Sequence, residues 1–496
     1  MKKLTRRSFI KKTLAASTGF GIATTLPRLV WSNPLGANDD VRIAVVGLGS
    51  AEGTGKGKQH IEVFRQLQDV RIVALCDADS DILNAEVKKF NDRNEKIDAY
   101  TDVRKLLEDK NIDTIVTATP NHWHSLLTIW ACQAGKDVYV EKPISHNIRE
   151  GRKAVEAARK YERIVQAGTQ RRSEEGLHEA FEYIQQRNLG KILIARGFCY
   201  KRRESIGKVD GPRPIPQSLD YNLWTGPAPL VPLMRKRLHY DWHWVWATGN
   251  GDIGNQGVHE IDLCRWALGQ NSLPPSVMSI GGRFGYDDDG ETANTQIAIL
   301  NYEPAPIIFE VRGLPCKKND SAMDHYRGIR IGVVIQCEGG YFAGGAGGGW
   351  AFDNDGNKIK QFKGDGGGGH QANFVKAVRS RKISDLNADI LQGHLSSSLC
   401  HMANISHRLG QLSSPEKIKE ALKADSSAAE TFERFQEHLT ANDVDLSKTP
   451  AVLGPLLKMD SAKELFIDGG EYSITRWANE LLSRNYRPPF VIPENV

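Results

Sequence analysis

The chain has 496 residues, 40% hydrophobic and 25% charged, so it can bury a sizeable core and is neither a disordered chain nor a multi-pass membrane protein. Its 47 glycines and 21 prolines follow no three-residue period, which excludes collagen. The formal charge of +5 is set by residues 1–37, which hold seven Lys and Arg and no acid; the remainder is net −2 and offers nothing to nucleic acid or anionic lipid by bulk electrostatics.

In chain order, a leader comes first. Thr5-Arg6-Arg7-Ser8-Phe9-Ile10-Lys11 precedes a weakly apolar run from Thr13 to Leu26, shorter than the roughly 20 residues a membrane-spanning helix takes. Paired arginines followed by Ser-Phe-Ile-Lys resemble a twin-arginine export signal, which a plain amphipathic N-terminus does not explain. The expected destination is the periplasm, reached in the folded state through the twin-arginine machinery, with no membrane span in the mature protein. The seven cysteines lack C-x-x-C spacing and are odd in number, which is neither a disulfide framework nor a zinc site.

Val41-Arg42-Ile43-Ala44-Val45-Val46 is an apolar, β-branched run stopped by Gly47-Leu48-Gly49, the pattern of a buried parallel strand feeding a glycine turn. The third glycine of a dinucleotide fingerprint falls one place late, at Gly53, and Gly55 and Gly57 follow, so the helix is expected near Gln59. Gly47, Gly49 and Gly53 would let the backbone approach a pyrophosphate at a helix N-terminus; a tight strand–helix turn is the plainer alternative. A second strand, Arg71 to Cys76, ends at Asp77. Its carboxylate can accept from the adenosine ribose hydroxyls and would repel a 2′-phosphate, favouring NAD over NADP; a helix cap would use the same residue. Helix Ser80–Asn91, strand Thr114–Ala118, helix Ser125–Ala134 and strand Asp137–Val140 complete a doubly wound sheet. The strand ends carry Thr119-Pro120-Asn121-His122-Trp123-His124 and Glu141-Lys142-Pro143, where ligands of open α/β sheets sit. Thr119, Pro120, Asn121, His124, Glu141, Lys142 and, further on, Gln170 are the other expected cofactor contacts.

These motifs, with Gly168-Thr169-Gln170-Arg171-Arg172 and the glycine-rich segment before His259, resemble the glucose–fructose oxidoreductase / inositol dehydrogenase / rhizopine-catabolism (Gfo/Idh/MocA) family from about Val41 to the C-terminus. The resemblance implies an α/β fold: a Rossmann dinucleotide-binding domain, then an α+β half whose mostly antiparallel open sheet forms the substrate wall against the nicotinamide. The residues themselves agree, since Ile192–Tyr200, Val277–Phe284, Ala293–Tyr302, Ile307–Arg312 and Ile329–Cys337 read as strands with few long helices between the later four. The expected division is a signal segment 1–37, an NAD-binding domain 38–170, a substrate domain 171–410 and a C-terminal extension 411–496 packed on both, in a homo-oligomer. Within the extension, Pro415–Leu422 and Ser473–Arg484 read as helices. The clusters Gly344–Gly349 and Gly364–Gly369 read as loops; neither adjoins the Lys-Ser/Thr of a phosphate cradle.

The chemistry is expected on the helix opened by Gly249–Asp262. The family usually carries an Asp four residues before the histidine; aligned on Gly257 and His259, that position is Asn255, which can orient a hydroxyl but cannot raise an imidazole's basicity as a carboxylate would. Lys142 would polarise the oxygen of a secondary alcohol and His259 exchange its proton, with Asn255 as the third catalytic residue. A helix-start histidine and a Lys142–Glu141 ion pair are the plainer readings. The stretch His239-Tyr240-Asp241-Trp242-His243-Trp244-Val245-Trp246, read as a strand, sets Trp242, Trp244 and Trp246 on one face, suited to stacking on a pyranose or to packing in a domain wall. Expected substrate contacts are Lys142, Arg171, Tyr240, Trp242, His243, Asn255 and His259. His239 and His243 on a helix could hold zinc, but their β-leaning surroundings argue against it, so no metal is expected. His394 and His401 share one face of a helix, with His401 within possible reach of the site.

The expected function is an exported NAD-dependent oxidoreductase acting on a sugar or glycoside hydroxyl, with a tightly bound, internally recycled cofactor. Two others compete: redox-neutral, NAD-assisted glycoside cleavage with Tyr240, His243 or His122 as an additional base, and a non-catalytic sugar-binding protein, suggested by Asn255. The leader makes its own prediction. Replacing Arg6 and Arg7 by Lys should leave folded protein in the cytoplasm, as cell fractionation would show; undiminished export would remove the twin-arginine assignment.

Overall fold

The computed structural model describes residues 40–50, 55–467 and 472–496; the leader and Gly53 lie outside them. The first apolar runs become β1 (Val41–Val46), β2 (Val70–Cys76), β3 (Asp98–Tyr100), β4 (Thr114–Thr117), β5 (Asp137–Val140) and β6 (Val165–Ala167). They pair in parallel in the order β3-β2-β1-β4-β5-β6. β1, β4 and β5 are buried almost throughout, which is why they read as unbroken apolar runs rather than alternating ones. The order reverses between β1 and β4, and that reversal opens a crevice beyond their carboxyl ends.

Helix Lys56–Arg65 begins three residues ahead of the expected Gln59. A Cβ on Gly57 would lie 2.1 Å from the Gly47 carbonyl oxygen, so the bare backbone is what lets this helix sit against the end of β1. The next motif also starts its helix early: Asn121–Gln133 follows directly on Pro120, so Asn121 to His124 form a first turn rather than a loop.

The second sheet has β7 (Ile192–Tyr200), β8 (Ser276–Gly282), β9 (Thr295–Asn301), β10 (Ile307–Arg312), β11 (Ile331–Cys337), β12 (Gly340–Gly345), β13 (Gly348–Phe352), β14 (Lys358–Lys363), β15 (Gln411–Ser413), β16 (Ala451–Leu453), β17 (Leu457–Asp460) and β18 (Leu465–Ile467). The order is β14-β13-β12-β11-β7-β10-β9-β8-β16-β15, with β17 bridging β8 and β18. Every pair is antiparallel except β7 with β10. Side chains of β7 alternate: Ile194 faces Ile418, Phe432 and Phe435 of the helices Pro415–Leu422 and Ser426–Ala441, while Ala195 and Cys199 face the helix Gly257–Ala267. The helix Ser426–Ala441 has no counterpart among the expected elements.

Two expectations need correcting. Gly344 to Gly349 are not loop residues throughout; Gly344 and Gly349 pair across β12 and β13. A Cβ on either would strike the Phe342 ring, at 2.6 and 2.7 Å, so the glycines make room for an aromatic side chain. The tryptophan-rich stretch is not a strand. Asp241–Trp244 is a 3-10 helix, bent by local bonds: Asp241 accepts from the Arg237 backbone N–H and Nε, and Trp242 Nε1 donates to the His239 carbonyl. The three indoles therefore share no face, and Trp246 lies apart beneath the Arg408 guanidinium.

Chain order and packing also part company. Helix His370–Ser380, late in the sequence, sets Phe374 and Val375 against Val45 and Tyr139 of the first sheet, and Phe490, Ile492 and Val496 cover that sheet's other face. Among the described residues no helix is long and apolar enough to cross a membrane, and all seven cysteines are unbridged. The close approach at Gly57 yields a prediction: Gly57→Ala should displace the helix and cost about 1–3 kcal/mol, the usual range for overpacking, measured by denaturant unfolding. An unchanged midpoint would show that the helix can shift freely.

Candidate functional site

The carboxyl ends of β1, β2, β4 and β5 face the helix Gly257–Ala267 and the residues following β7 across a cavity of about 760 Å³. On the first-sheet side, Gly47 turns the chain at φ +81°, and a Cβ there would meet the Thr119 backbone nitrogen at 2.7 Å. Gly49 and Gly55 continue the bare rim, with Ser50 between them. Asp77 closes β2: its two carboxylate oxygens accept from the Leu48 N–H at 2.7 Å and the Asp79 N–H at 3.0 Å. Burial pushes its carboxyl up to about 6, against the pull of those two bonds. An acceptor at the end of β2, a glycine rim at a helix start and a cleft of this volume fit a dinucleotide. Gly47, Gly49 and Asp77 would hold its phosphates and ribose.

Several expected cofactor contacts line the cavity but are bound to the protein itself. Thr119 shares a hydroxyl bond with Thr117, Pro120 caps the helix, and Asn121 donates to Asn250 Oδ1 at 2.9 Å. His124 is wedged between the Thr119 and Pro143 carbonyls, at 2.7 and 2.6 Å, and so braces the two strand-end motifs against each other. Gln170 lines the cavity as well. Glu141 faces it with one oxygen 2.9 Å from His60 Nε2 and the other 3.1 Å from the Lys142 N–H. Burial alone would raise that carboxyl; the His60 bond and the nearby Lys56 and Lys142 charges hold it well below the ordinary carboxylate range.

Lys142, just past β5, reaches across to the second half. Its Nζ donates to the Asn255 carbonyl at 2.7 Å and lies 3.4 Å from Asn255 Oδ1. Asn255 ends the short helix Gly251–Asn255, so that carbonyl is a free helix-end acceptor. Burial lowers the ammonium's pKa, and the Lys56, Lys201 and Arg203 charges add to the effect while Glu141 opposes it. His259, one turn further, lines the same cavity. Burial, with the Arg171 and Lys142 charges, holds its pKa well below the histidine norm and favours the neutral imidazole. Its Nδ1 is buried with no hydrogen-bond partner among the described residues. Asn255, expected to orient a substrate hydroxyl, thus holds Lys142 and makes no hydrogen bond to His259.

Other expected contacts divide. Tyr240, Trp242 and His243 reach the cavity. His243 stacks on Trp242 with ring centroids 3.7 Å apart and shares its Nδ1 with the Tyr240 carbonyl at 2.6 Å. Burial, then the Lys142 and Arg203 charges, lower its pKa to about 3. Arg171 lines the cavity, but its guanidinium is committed to Glu260. His122 lies outside the cavity, between the Trp224 and Thr248 carbonyls, and His401 bonds Ser145 Oγ at 3.1 Å, so neither reaches a ligand. His239 pairs with Asp79 rather than with His243, and no metal-holding group of side chains occurs among the described residues. Lys201, Arg203, Gln256 and His60 were missed. A signal for two of them existed: Lys201 and Arg203 continue the alternation of β7 past its end.

Residues 41–169 match the Gfo/Idh/MocA description of an oxidoreductase family with an NAD-binding Rossmann fold, and residues 191–313 match that family's C-terminal α/β domain. The chain is similar to the myo-inositol 2-dehydrogenase of Thermotoga maritima, 28% identical over 260 residues that make up 52% of this chain and 64% of that protein. It is also similar to a glycosyl hydrolase family 109 protein of Shewanella sp. strain ANA-3, 29% identical over 168 residues, 30% of this chain and 36% of the relative. The chain thus spans less than two thirds of the length of either relative. Among solved structures, the WlbA dehydrogenase from Bordetella pertussis, in complex with NADH and UDP-GlcNAcA, superposes with a TM-score of 0.53 at 20% identity over 73% of this chain and 96% of its own, which shows a shared fold. With its two successive domains matched on the two sheets that enclose the cleft, the chain belongs to the Gfo/Idh/MocA oxidoreductase family.

Proposed function

We propose that the protein oxidises a hydroxyl of a sugar or glycoside with tightly held NAD. The observation that carries this reading is the meeting of Lys142 and His259 in one cavity, beyond the strand ends that fit the dinucleotide. Bound NAD supplies the hydride acceptor. Lys142 Nζ, already oriented by the Asn255 carbonyl, donates to the substrate oxygen and favours its negative charge as the carbon is oxidised. His259, kept neutral by burial, takes the proton that leaves that oxygen. Tyr240, Trp242 and His243 offer an aromatic rim with polar tips, suited to a pyranose ring. The paired arginines of the leader extend the proposal to export in the folded state. A compartment without free NAD would then require the cofactor to be retained and recycled in place.

A second reading, redox-neutral glycoside cleavage, draws support from the similarity to a family 109 glycosyl hydrolase and from His243. With its Nδ1 proton shared with the Tyr240 carbonyl, His243 keeps Nε2 as an acceptor that could serve as the additional base. It differs in outcome, because product would leave with no net change in bound NADH.

Two predictions follow from these roles. Denatured, dialysed protein should release near-stoichiometric NAD or NADH. Lys142→Met and His259→Ala should retain it yet lose turnover by roughly 10²–10⁴, the range of general acid–base residues; turnover undiminished in both variants would remove these assignments. The second concerns Asp77. Asp77→Ala should weaken NAD roughly tenfold to a hundredfold, the worth of a charge-assisted hydrogen bond, and admit NADP. In the unchanged protein, ribose hydroxyls favour the ionised carboxylate, so NAD affinity should fall as pH drops through about 6, readable by fluorescence titration. An unaltered preference for NAD over NADP would leave Asp77 as a loop brace alone.

A further inference from the structure

Resting on the reading of a sugar hydroxyl held at Lys142, we propose that the substrate also carries a carboxylate, as a uronic acid or its glycoside does, and that Lys201 binds it with Arg203 alongside.

Two cations, Lys201 and Arg203, lie side by side on the second-sheet wall of the cavity, away from its acids. Those acids, Asp77, Asp102 and Glu141, all belong to the strand ends and loops of the first sheet. Among its cations, Arg171 is paired with Glu260, and the Lys142 ammonium, held by the Asn255 carbonyl, is already assigned to the substrate hydroxyl. Lys56 opens the helix at the glycine rim, where a pyrophosphate would meet it. Arg203 is gripped by Asp252 through Nε at 2.9 Å and Nη2 at 2.7 Å, which leaves Nη1 only a long contact to the Tyr240 hydroxyl at 3.4 Å. Lys201 differs. Its Nζ bonds to the neutral amide oxygen of Gln256 at 3.0 Å, and no ion pair is formed to any described carboxylate. Gln256 is itself turned by its Nε2 bond to Glu260, so it holds the ammonium without neutralising it.

The arrangement is built by the fold. Lys201 and Arg203, two residues apart, extend the β7 alternation and line the cavity together. The Arg203 guanidinium rests over the Trp244 ring, 5.6 Å from its centroid. Partly burying two like charges side by side is unfavourable until an anion joins them. The valence of that anion follows from the side chains: Lys201, Arg203 and Asp252 together carry one positive charge. That matches a carboxylate, whereas a dianionic phosphate would leave negative charge uncompensated beside Asp252.

The test is calorimetric binding to the NAD-loaded protein, with nicotinamide absorbance read in parallel. The probes are glucuronate, galacturonate and their methyl glycosides, the matching neutral glycosides, and glucose 6-phosphate. Uronates should bind at least tenfold tighter than their neutral counterparts. Lys201→Met should cost them about 10- to 100-fold in affinity, while Lys201→Arg should keep most of it. Equal affinity for acid and neutral sugars, a uronate preference that survives Lys201→Met, or a preference for the phosphate would each overturn the proposal. Failures of the two readings are separable: uronate binding with no absorbance change defeats the oxidation but not this site, and turnover of neutral sugars alone defeats this site but not the oxidation.

Discussion

A lysine ammonium at the junction of two sheets is the constraint around which the site is organised. Lys142 leaves β5 of the first sheet, and the acceptor that holds it, the Asn255 carbonyl, belongs to the second half of the chain. Neither half alone supplies both ends of that bond. The neighbouring contacts repeat the pattern: Asn121 donates to Asn250, and the Asn250 amide donates to the His146 carbonyl. The Asn250 carbonyl in turn accepts from Asn404. The segment Asn250–Asn255 is thus fixed by neutral polar side chains, which hold geometry without adding charge beside the ammonium.

Buried ion pairs do the rest of the positioning. Arg171–Glu260, Arg172–Asp262 and Arg203–Asp252 tie the chain after β6 and after β7 to the helices that carry Asn255 and His259. Such pairs contribute little net stability compared with apolar packing, yet breaking one strands a buried charge at a cost of about 3–5 kcal/mol. Their value here is geometric. They fix where the imidazole and the two cavity-facing cations sit, and each commits a positive charge so that only selected cations remain for a ligand.

The two halves of the cleft therefore differ in electrical character. The first sheet presents glycine, carboxylates and the two lysines Lys56 and Lys142, a surface for hydroxyls and phosphates. The second presents cations and aromatic rings on a sheet whose far face is sealed by Ile418, Phe432 and Phe435. A substrate bound between them would meet Lys142 and His259, the proposed reaction centre, and a charged wall one residue pair beyond β7.

The sequence by itself determined the doubly wound first sheet, the start of the strands of the second, and the positions of Asp77, Lys142 and His259. It could do so because buried parallel strands are continuous apolar runs and because ligands sit where such strands end, so the pattern and the site share one local signal. Asp77, at the end of β2, was legible for that reason. The tertiary structure alone decided which polar residues serve the cavity. Arg171, His122 and His401 read as candidates equal to His243 while Lys201 went unread, and nothing local distinguishes a guanidinium spent on Glu260 from one facing a ligand. The same holds for Asn255, read as a residue that orients a substrate hydroxyl and found to hold Lys142 from across the junction. The tryptophan stretch failed differently: alternation predicts a strand, but Asp241 and Trp242 bond to nearby backbone and wind it into a 3-10 turn. Hydrophobic period reports which face is buried, whereas the partner of a charge is settled only when distant segments of the chain are brought into contact.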